Sequence, residues 1–390
     1  MIKRNISQKI IKSAKEYPVI LITGPRQSGK TTLVKNIFPP KNYFNLEDLE
    51  TRDFALRDPK GFLNQVSGQM IIDEVQRAPD LLSQIQVIVD ERKKPGQFVL
   101  TGSQNLLLLE RVSQSLAGRV AIFYLLPFSL AELSREKAAF KDLDKLMFKG
   151  FYPRLYDKRI NIEEYYTNYI QTYIERDVRL LKNIVDLSAF KRFLSLVAGR
   201  CGQILNFTSL AQDCGISQAT AKEWLSVLEA SFIVFLLPPH YRNFNKRVVK
   251  MPKIYFYDTG LVCSLLNISS PEQLSKHYLR GSIFESFIIS EFIKHKYNRG
   301  QRANIYYWRN KTGQEIDLLF EEGSRLIPME IKSGQTVTAD YFKGLKYYQK
   351  LSGLDPKDFY LIYAGEQKQK RAEANVLPWF DLPREINKII

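Results

Sequence analysis

Four groups of residues have types and spacings that could do chemistry. The first is Gly24-Pro25-Arg26-Gln27-Ser28-Gly29-Lys30-Thr31, where two glycines bracket a four-residue loop and a lysine and a hydroxyl follow. Glycines at this spacing let the backbone turn tightly enough to aim N–H groups at a phosphate, and the helix that follows adds its positive end. Lys30 would reach the β- and γ-phosphates, Thr31 would place its hydroxyl on Mg²⁺, and Thr32 completes the nucleotide-binding set. The second group is Asp73-Glu74, at the end of the apolar run Met70-Ile71-Ile72. Asp73 would hold Mg²⁺ through its water shell, and Glu74 would polarise the water that attacks the γ-phosphate. The third is Gly102-Ser103-Gln104, where Ser103 first and Gln104 next would contact the γ-phosphate or the water. The fourth, near the C-terminus, is Glu285, Asp317, Glu330 and Lys332. Residues two apart on a strand share a face, so Glu330 and Lys332 point the same way, and hairpin pairing would bring Asp317 beside them.

Positioning these groups requires a parallel sheet. Val19 to Thr23 reads as a buried strand ahead of the loop, and Thr32-Leu33-Val34-Lys35-Asn36 reads as the helix after it. Asn42–Leu46, Gln69–Asp73, Phe98–Thr101 and Val120–Tyr124 are further strands, and an open parallel sheet collects its ligands at the carboxyl ends of such strands. Between the last two, residues 105–119 read as helical. Arg119 at the end of that stretch is placed either as an arginine finger for a neighbouring subunit or as a cation favoured by the helix dipole.

At 390 residues the chain exceeds one compact core, so about two to four folding units are expected. No apolar run reaches the length of a membrane span and the N-terminus reads as a polar helix, which points to a cytoplasmic protein without a membrane partner. Cys201, Cys214 and Cys263 lie far apart and read as buried thiols, and neither they nor the histidines have zinc-ligand spacing. The net charge of +16 suits a polyanionic partner, although a compositional bias toward lysine would produce the same number.

The order of the phosphate loop, Ile71-Ile72-Asp73-Glu74-Val75-Gln76-Arg77-Ala78-Pro79, Leu100-Thr101-Gly102-Ser103, Leu116-Ala117-Gly118-Arg119 and Leu126-Pro127-Phe128-Ser129 resembles a prokaryotic family of AAA-type ATPases with a C-terminal domain of uncharacterised role. The resemblance implies an αβα nucleotide-binding core, with ATP and Mg²⁺ as cofactors. The set Glu285, Asp317, Glu330 and Lys332 resembles the core of restriction-endonuclease-like enzymes, in which the carboxylates hold Mg²⁺ or Mn²⁺ and the lysine helps activate water. Ile316 stands where that motif nominally has proline.

Between these ends, a tyrosine stripe at Tyr165, Tyr166, Tyr169 and Tyr173 reads as helix core. Residues 208–225 read as helix, glycine turn and helix, with Thr208 and Ser217 as caps, and a hairpin follows, giving a winged-helix pattern. DNA contact would fall to Lys222 on the second helix and to Arg242, Lys246, Arg247 and Lys250 in the hairpin loop, with His240 at its start. Winged helices also bind proteins. The expected chain is thus α/β: a P-loop αβα ATPase core over 1–130, a helical lid or connector over 131–190, a winged helix over 191–268, and a small restriction-endonuclease-like α/β domain over 269–390. The expected function is a Mg²⁺-dependent ATPase, in a homo-oligomer if Arg119 is a finger, acting on DNA. The alternative is a nucleotide-dependent signalling or scaffold protein whose C-terminal half binds protein.

Overall fold

The structure, a computed structural model, describes residues 2–103, 112, 114–134, 142–174, 186–240 and 250–390. Its first sheet is built on β1 (Val19–Gly24), all of whose residues are buried. Val19 and Leu21 pack with Leu81, Leu82 and Ile85 on one face, while Ile20 and Ile22 pack with Ile6, Ile10, Leu33 and Val34 on the other. A strand covered on both sides must be apolar at every position, which is why it reads as a continuous run rather than an alternation. The remaining strands are β2 (Tyr43–Asn45), β3 (Met70–Asp73), β4 (Phe98–Ser103) and β5 (Val120–Tyr124). They assemble in the order β2-β3-β4-β1-β5, and every pairing is parallel. Gly24 stands beside Ser103 and Asn45 beside Asp73, so the carboxyl ends form one edge. The helix Leu81–Arg92 covers one face through Leu81, Leu82, Ile85, Ile88 and Val89, and each such burial stabilises by about 2 kcal/mol.

A second, larger core runs from Leu126 to Ile389. Tyr165, Tyr166 and Tyr169 of the helix Ile162–Tyr169 are buried in it, so three members of the tyrosine stripe pack inside. The helices Leu187–Gly199, Phe207–Cys214 and Gln218–Ala230 lead into an antiparallel pair, β6 (Val234–Leu237) and β7 (Lys253–Phe256). Gly215, at φ +72°, ends the second of these helices, and Ser217 caps the third through the Thr220 N–H at 3.0 Å. The cap of the second helix is Asn206, which accepts from the Ser209 N–H at 3.1 Å, in place of the expected Thr208. Asn206 holds extended backbone just ahead of the first turn, whereas Thr208 lies within the helix.

The C-terminal sheet contains β8 (Ile305–Arg309), β9 (Glu315–Glu322), β10 (Arg325–Lys332), β11 (Tyr360–Tyr363), β12 (Gln369–Lys370) and β13 (Asn375–Pro378), in the order β12-β13-β11-β10-β9-β8. An antiparallel β8-β9-β10 meander is extended by parallel β10-β11 and β11-β13 pairs. Leu318 and Phe320 join the core that contains the helix Arg280–Asn298, and Leu319 joins the one that contains Leu345 and Tyr348 of the helix Lys343–Ser352. Cys201, Cys214 and Cys263 are buried free thiols. Among the described residues no helix is long and apolar enough to cross a membrane.

Candidate functional site

The loop after β1 winds through left-handed backbone at Gly24 (φ +148°), Gln27 (φ +59°) and Gly29 (φ +91°). Among the described residues, Thr23 Oγ1, Gln27 Oε1 and Ser28 Oγ are buried without a hydrogen-bond partner. Unpaired buried polar atoms are costly, and three together mark a cradle shaped for a polar ligand. The helix Lys30–Ile37 starts from Gly29 with no side-chain cap, which leaves its first-turn N–H groups for that ligand. Lys30 Nζ, buried, donates to the Gly24 carbonyl at 3.0 Å and to the Pro25 carbonyl at 2.8 Å. Its ammonium thus lies against the loop it is expected to serve. The Arg26 carbonyl accepts from Tyr169 at 3.5 Å, and Thr32 is exposed on the helix.

Asp73, 3% exposed at the end of β3, accepts on Oδ2 from Thr31 Oγ1 at 2.7 Å and from the Tyr43 hydroxyl at 2.6 Å. Thr101 Oγ1 donates to its other oxygen. Burial, and then the bond to Asp73, pushes the Tyr43 pKa up, so this phenol remains a donor. The hydroxyl and the carboxylate expected to flank Mg²⁺ are therefore in direct contact, a donor set that suits a hard cation. Glu74 sits at φ +59°, an uncommon conformation for a side-chain-bearing residue, and Ser103 Oγ donates to both carboxylate oxygens at 3.3 Å. Gln76 Nε2 donates to the same carboxylate. Loop, Asp73, Glu74 and Ser103 share one edge of the sheet. Arg119 does not join them. It precedes β5, where its carbonyl accepts from the Val19 N–H, at the opposite end of β1 from the loop and about 16 Å from it. Its guanidinium is engaged by both carboxylate oxygens of Asp90, at 2.5 and 2.9 Å.

The C-terminal acids do converge, with lysines between them. Asp317 Oδ2 accepts from the Ile331 N–H and from Lys332 Nζ, each at 2.8 Å, and Lys332 also pairs with Glu330. Glu285 accepts from Lys253 Nζ at 3.2 Å and from the Tyr255 hydroxyl, and Lys253 pairs with Glu315 as well. Burial pushes the Glu330 pKa well up, with Asp317 adding to the effect. Burial works the same way on Asp317, but the Lys332 and Lys253 ammoniums outweigh it and hold that carboxyl down at about 2. Lys253 and Lys332 each take one oxygen of the carboxylates expected to hold Mg²⁺ or Mn²⁺, and among the described residues no group of three or more His, Cys, Asp or Glu is placed to hold a metal ion.

Of the DNA-contact set, Lys222 is exposed with its ammonium 5.7 Å from the Phe207 ring, and Lys250 is exposed. Arg242, Lys246 and Arg247 lie outside the described residues, as does Gln104. His240 is 5% exposed, with its N–H donating to the Tyr307 carbonyl at 2.8 Å, so it belongs to the interior rather than to a basic surface.

Residues 16–134 match the family described as "AAA domain". Residues 140–272 and 280–382 match two families described as domains of unknown function, DUF8612 and DUF4143. Two curated relatives are each 30% identical over 370 residues, which is 94% of this chain and 81% of theirs: Uncharacterized protein Mb2031c of Mycobacterium bovis and Uncharacterized protein Rv2008c of Mycobacterium tuberculosis. The chain belongs to their family. Its residues 16–134 are an AAA domain, and the loop, Asp73, Glu74 and Ser103 all lie inside it. Among solved structures it is similar to the Walker-type ATPase PABY2304 of Pyrococcus abyssi at 16% identity, with TM-score 0.45 over 68% of this chain and 96% of that one. AMPPCP-bound DnaA from Aquifex aeolicus is similar at 16% identity, with TM-score 0.31 over 58% and 86%.

Sequence reasoning missed several residues that complete these sites in this family member. Thr101, a hydroxyl closing an apolar strand, carried a readable signal, and so did Glu315, two residues before Asp317 and hence on its face. Tyr43 and Lys253 carried none, because each reaches its site from a distant part of the chain.

Proposed function

We propose that this protein is a Mg²⁺-dependent ATP hydrolase whose turnover drives action on DNA. The observation that carries the hydrolase reading is the Thr31–Asp73 contact at 2.7 Å, which joins the exit of the phosphate loop to the end of β3 with Glu74 next in line. Loop N–H groups and Lys30 bind and orient the phosphates, the Lys30 ammonium exchanging its loop carbonyls for phosphate oxygens. Thr31 and Asp73 would hold Mg²⁺, which when bound neutralises charge on the phosphate oxygens. Glu74, kept in place by Ser103 and Gln76, takes a proton from the attacking water. The extension to DNA rests on the +16 charge and on exposed Lys222 and Lys250. The helix–turn–helix and hairpin of residues 206–256 support a winged-helix reading of the unit that carries them.

The test is ATP turnover by the full chain, with and without duplex DNA. Glu74→Gln is expected to keep ATP binding and lose about 10²–10⁴-fold in turnover, while Lys30→Ala loses binding. Wild-type turnover in Glu74→Gln would remove Glu74 as the base, and no turnover by the wild-type chain would remove the hydrolytic reading. Turnover indifferent to DNA, together with no salt-sensitive DNA binding, would remove its extension and favour a partner of another kind.

A further inference from the structure

The phosphate-loop pattern says nothing about position 4, yet Arg4, 8% exposed, ends against the loop's backbone. Its Nη1 donates to the Ser28 carbonyl at 2.8 Å, its Nη2 to the Leu126 carbonyl at 2.5 Å, and its Nε to Glu132 Oε1 at 3.1 Å. Glu132 is fully buried and is fixed in turn by the N–H groups of Asn5 at 2.8 Å and Ser129 at 2.9 Å. The Phe128 ring lies 4.9 Å from the guanidinium carbon. A planar fork held on three acceptors and against a ring has one orientation, and in it one arm points at the loop.

We propose that Arg4 is a positioning residue of the phosphate loop, an inference that rests on the nucleotide reading above. The Ser28–Gly29 peptide is trans, so anchoring its carbonyl on Arg4 directs the Gly29 N–H to the opposite edge. Without an anchor this peptide turns at little cost, because Gly29 has no Cβ to resist rotation. A charged donor on the carbonyl also polarises the peptide and strengthens its N–H toward an anion. Arg4 thus keeps the loop in the conformation that binds phosphate before the nucleotide arrives.

Arg4→Lys separates this role from simple packing. A lysine retains the ion pair with Glu132 but has no fork to reach Ser28 as well. Titration of the full-length variant with ADP is expected to show affinity about tenfold weaker than wild type, as for a loop that is competent in about a tenth of the molecules. The ATP KM is expected to rise in step while kcat at saturation stays within about twofold, since an occupied loop is the same loop. ADP affinity within about twofold of wild type, whether Arg4→Lys is as stable as wild type or less so, overturns the proposal. If Arg4→Lys does not fold, Arg4→Gln, whose shorter amide can still donate to Glu132 but has no second arm for the Ser28 carbonyl, is read by the same ADP titration, and unchanged affinity there overturns the proposal too. Absence of ADP binding by wild type is a different result, which removes the nucleotide reading itself.

Discussion

Gly24 meets two constraints at once. Its φ is +148°, and a Cβ built there would stand 2.3 Å from the Leu125 carbonyl oxygen. The clash is with backbone, which cannot swing aside as a long side chain could. The Leu125 N–H in turn bonds the Thr23 carbonyl at 2.8 Å, so the segment after β5 is laced to the end of β1 where the loop begins. Gly24→Ala therefore has to break that lacing or distort the loop, and is expected to lose about 2–4 kcal/mol of stability. Urea denaturation of the two full-length proteins measures it. A loss below about 0.5 kcal/mol, the range of an inconsequential surface change, would contradict the close approach.

At the scale of elements, what could be read from sequence follows from how each element is covered. β1, β3 and β4 were legible because both faces are buried, which writes the strand as an apolar run. Glu330 and Lys332 were legible as neighbours because a strand repeats every two residues. Lys253 was not, since its partner Glu285 lies 32 residues away on a helix, and neither was Arg4, whose partner Glu132 is 128 residues away. Local periodicity has no access to such separations. Lys253 is nevertheless what fastens β7 to the C-terminal sheet: its side chain is 5% exposed between Glu285 and Glu315. Removing one partner of a buried pair leaves uncompensated charge, so Lys253→Met is expected to cost about 3–5 kcal/mol. Adding Glu285→Gln removes one of the stranded charges, and the double variant is expected to regain part of that loss. Denaturation midpoints of both variants decide the matter, and equal losses in the single and the double variant would show that the ammonium is not holding Glu285.

The whole molecule is tied together across the segments that sequence alone would separate. Phe287 stacks on Phe151 with ring centroids 5.3 Å apart, and Tyr297 lies 5.0 Å from Tyr124. The N–H groups of His240 and Tyr307 bond the Tyr307 and Pro238 carbonyls at 2.8 and 3.0 Å, which joins the hairpin to β8. Charges cross as well, because Glu291 accepts from the Leu130 N–H at 2.6 Å and Arg280 pairs with Asp144 at 2.7 Å. Residues 269–390 thus complete a core begun at Leu126 rather than enclosing one of their own on that face. Cutting the chain at 269 would expose Phe287, Tyr297 and Tyr307 together, at about 2 kcal/mol for each apolar side chain uncovered. It would also strand the Glu285 carboxylate without Lys253. Against a total stability of about 5–15 kcal/mol for a domain, those losses are decisive. The fragment 269–390 is therefore expected to show no cooperative urea transition, whereas 126–390, which retains Phe151, Lys253, Leu130, Asp144 and the hairpin and gives up only the Tyr124 ring among these partners, is expected to show one. A sharp transition in the shorter fragment would mean that the contacts reaching back to Phe151, Lys253 and Tyr124 are those of an interface between finished domains.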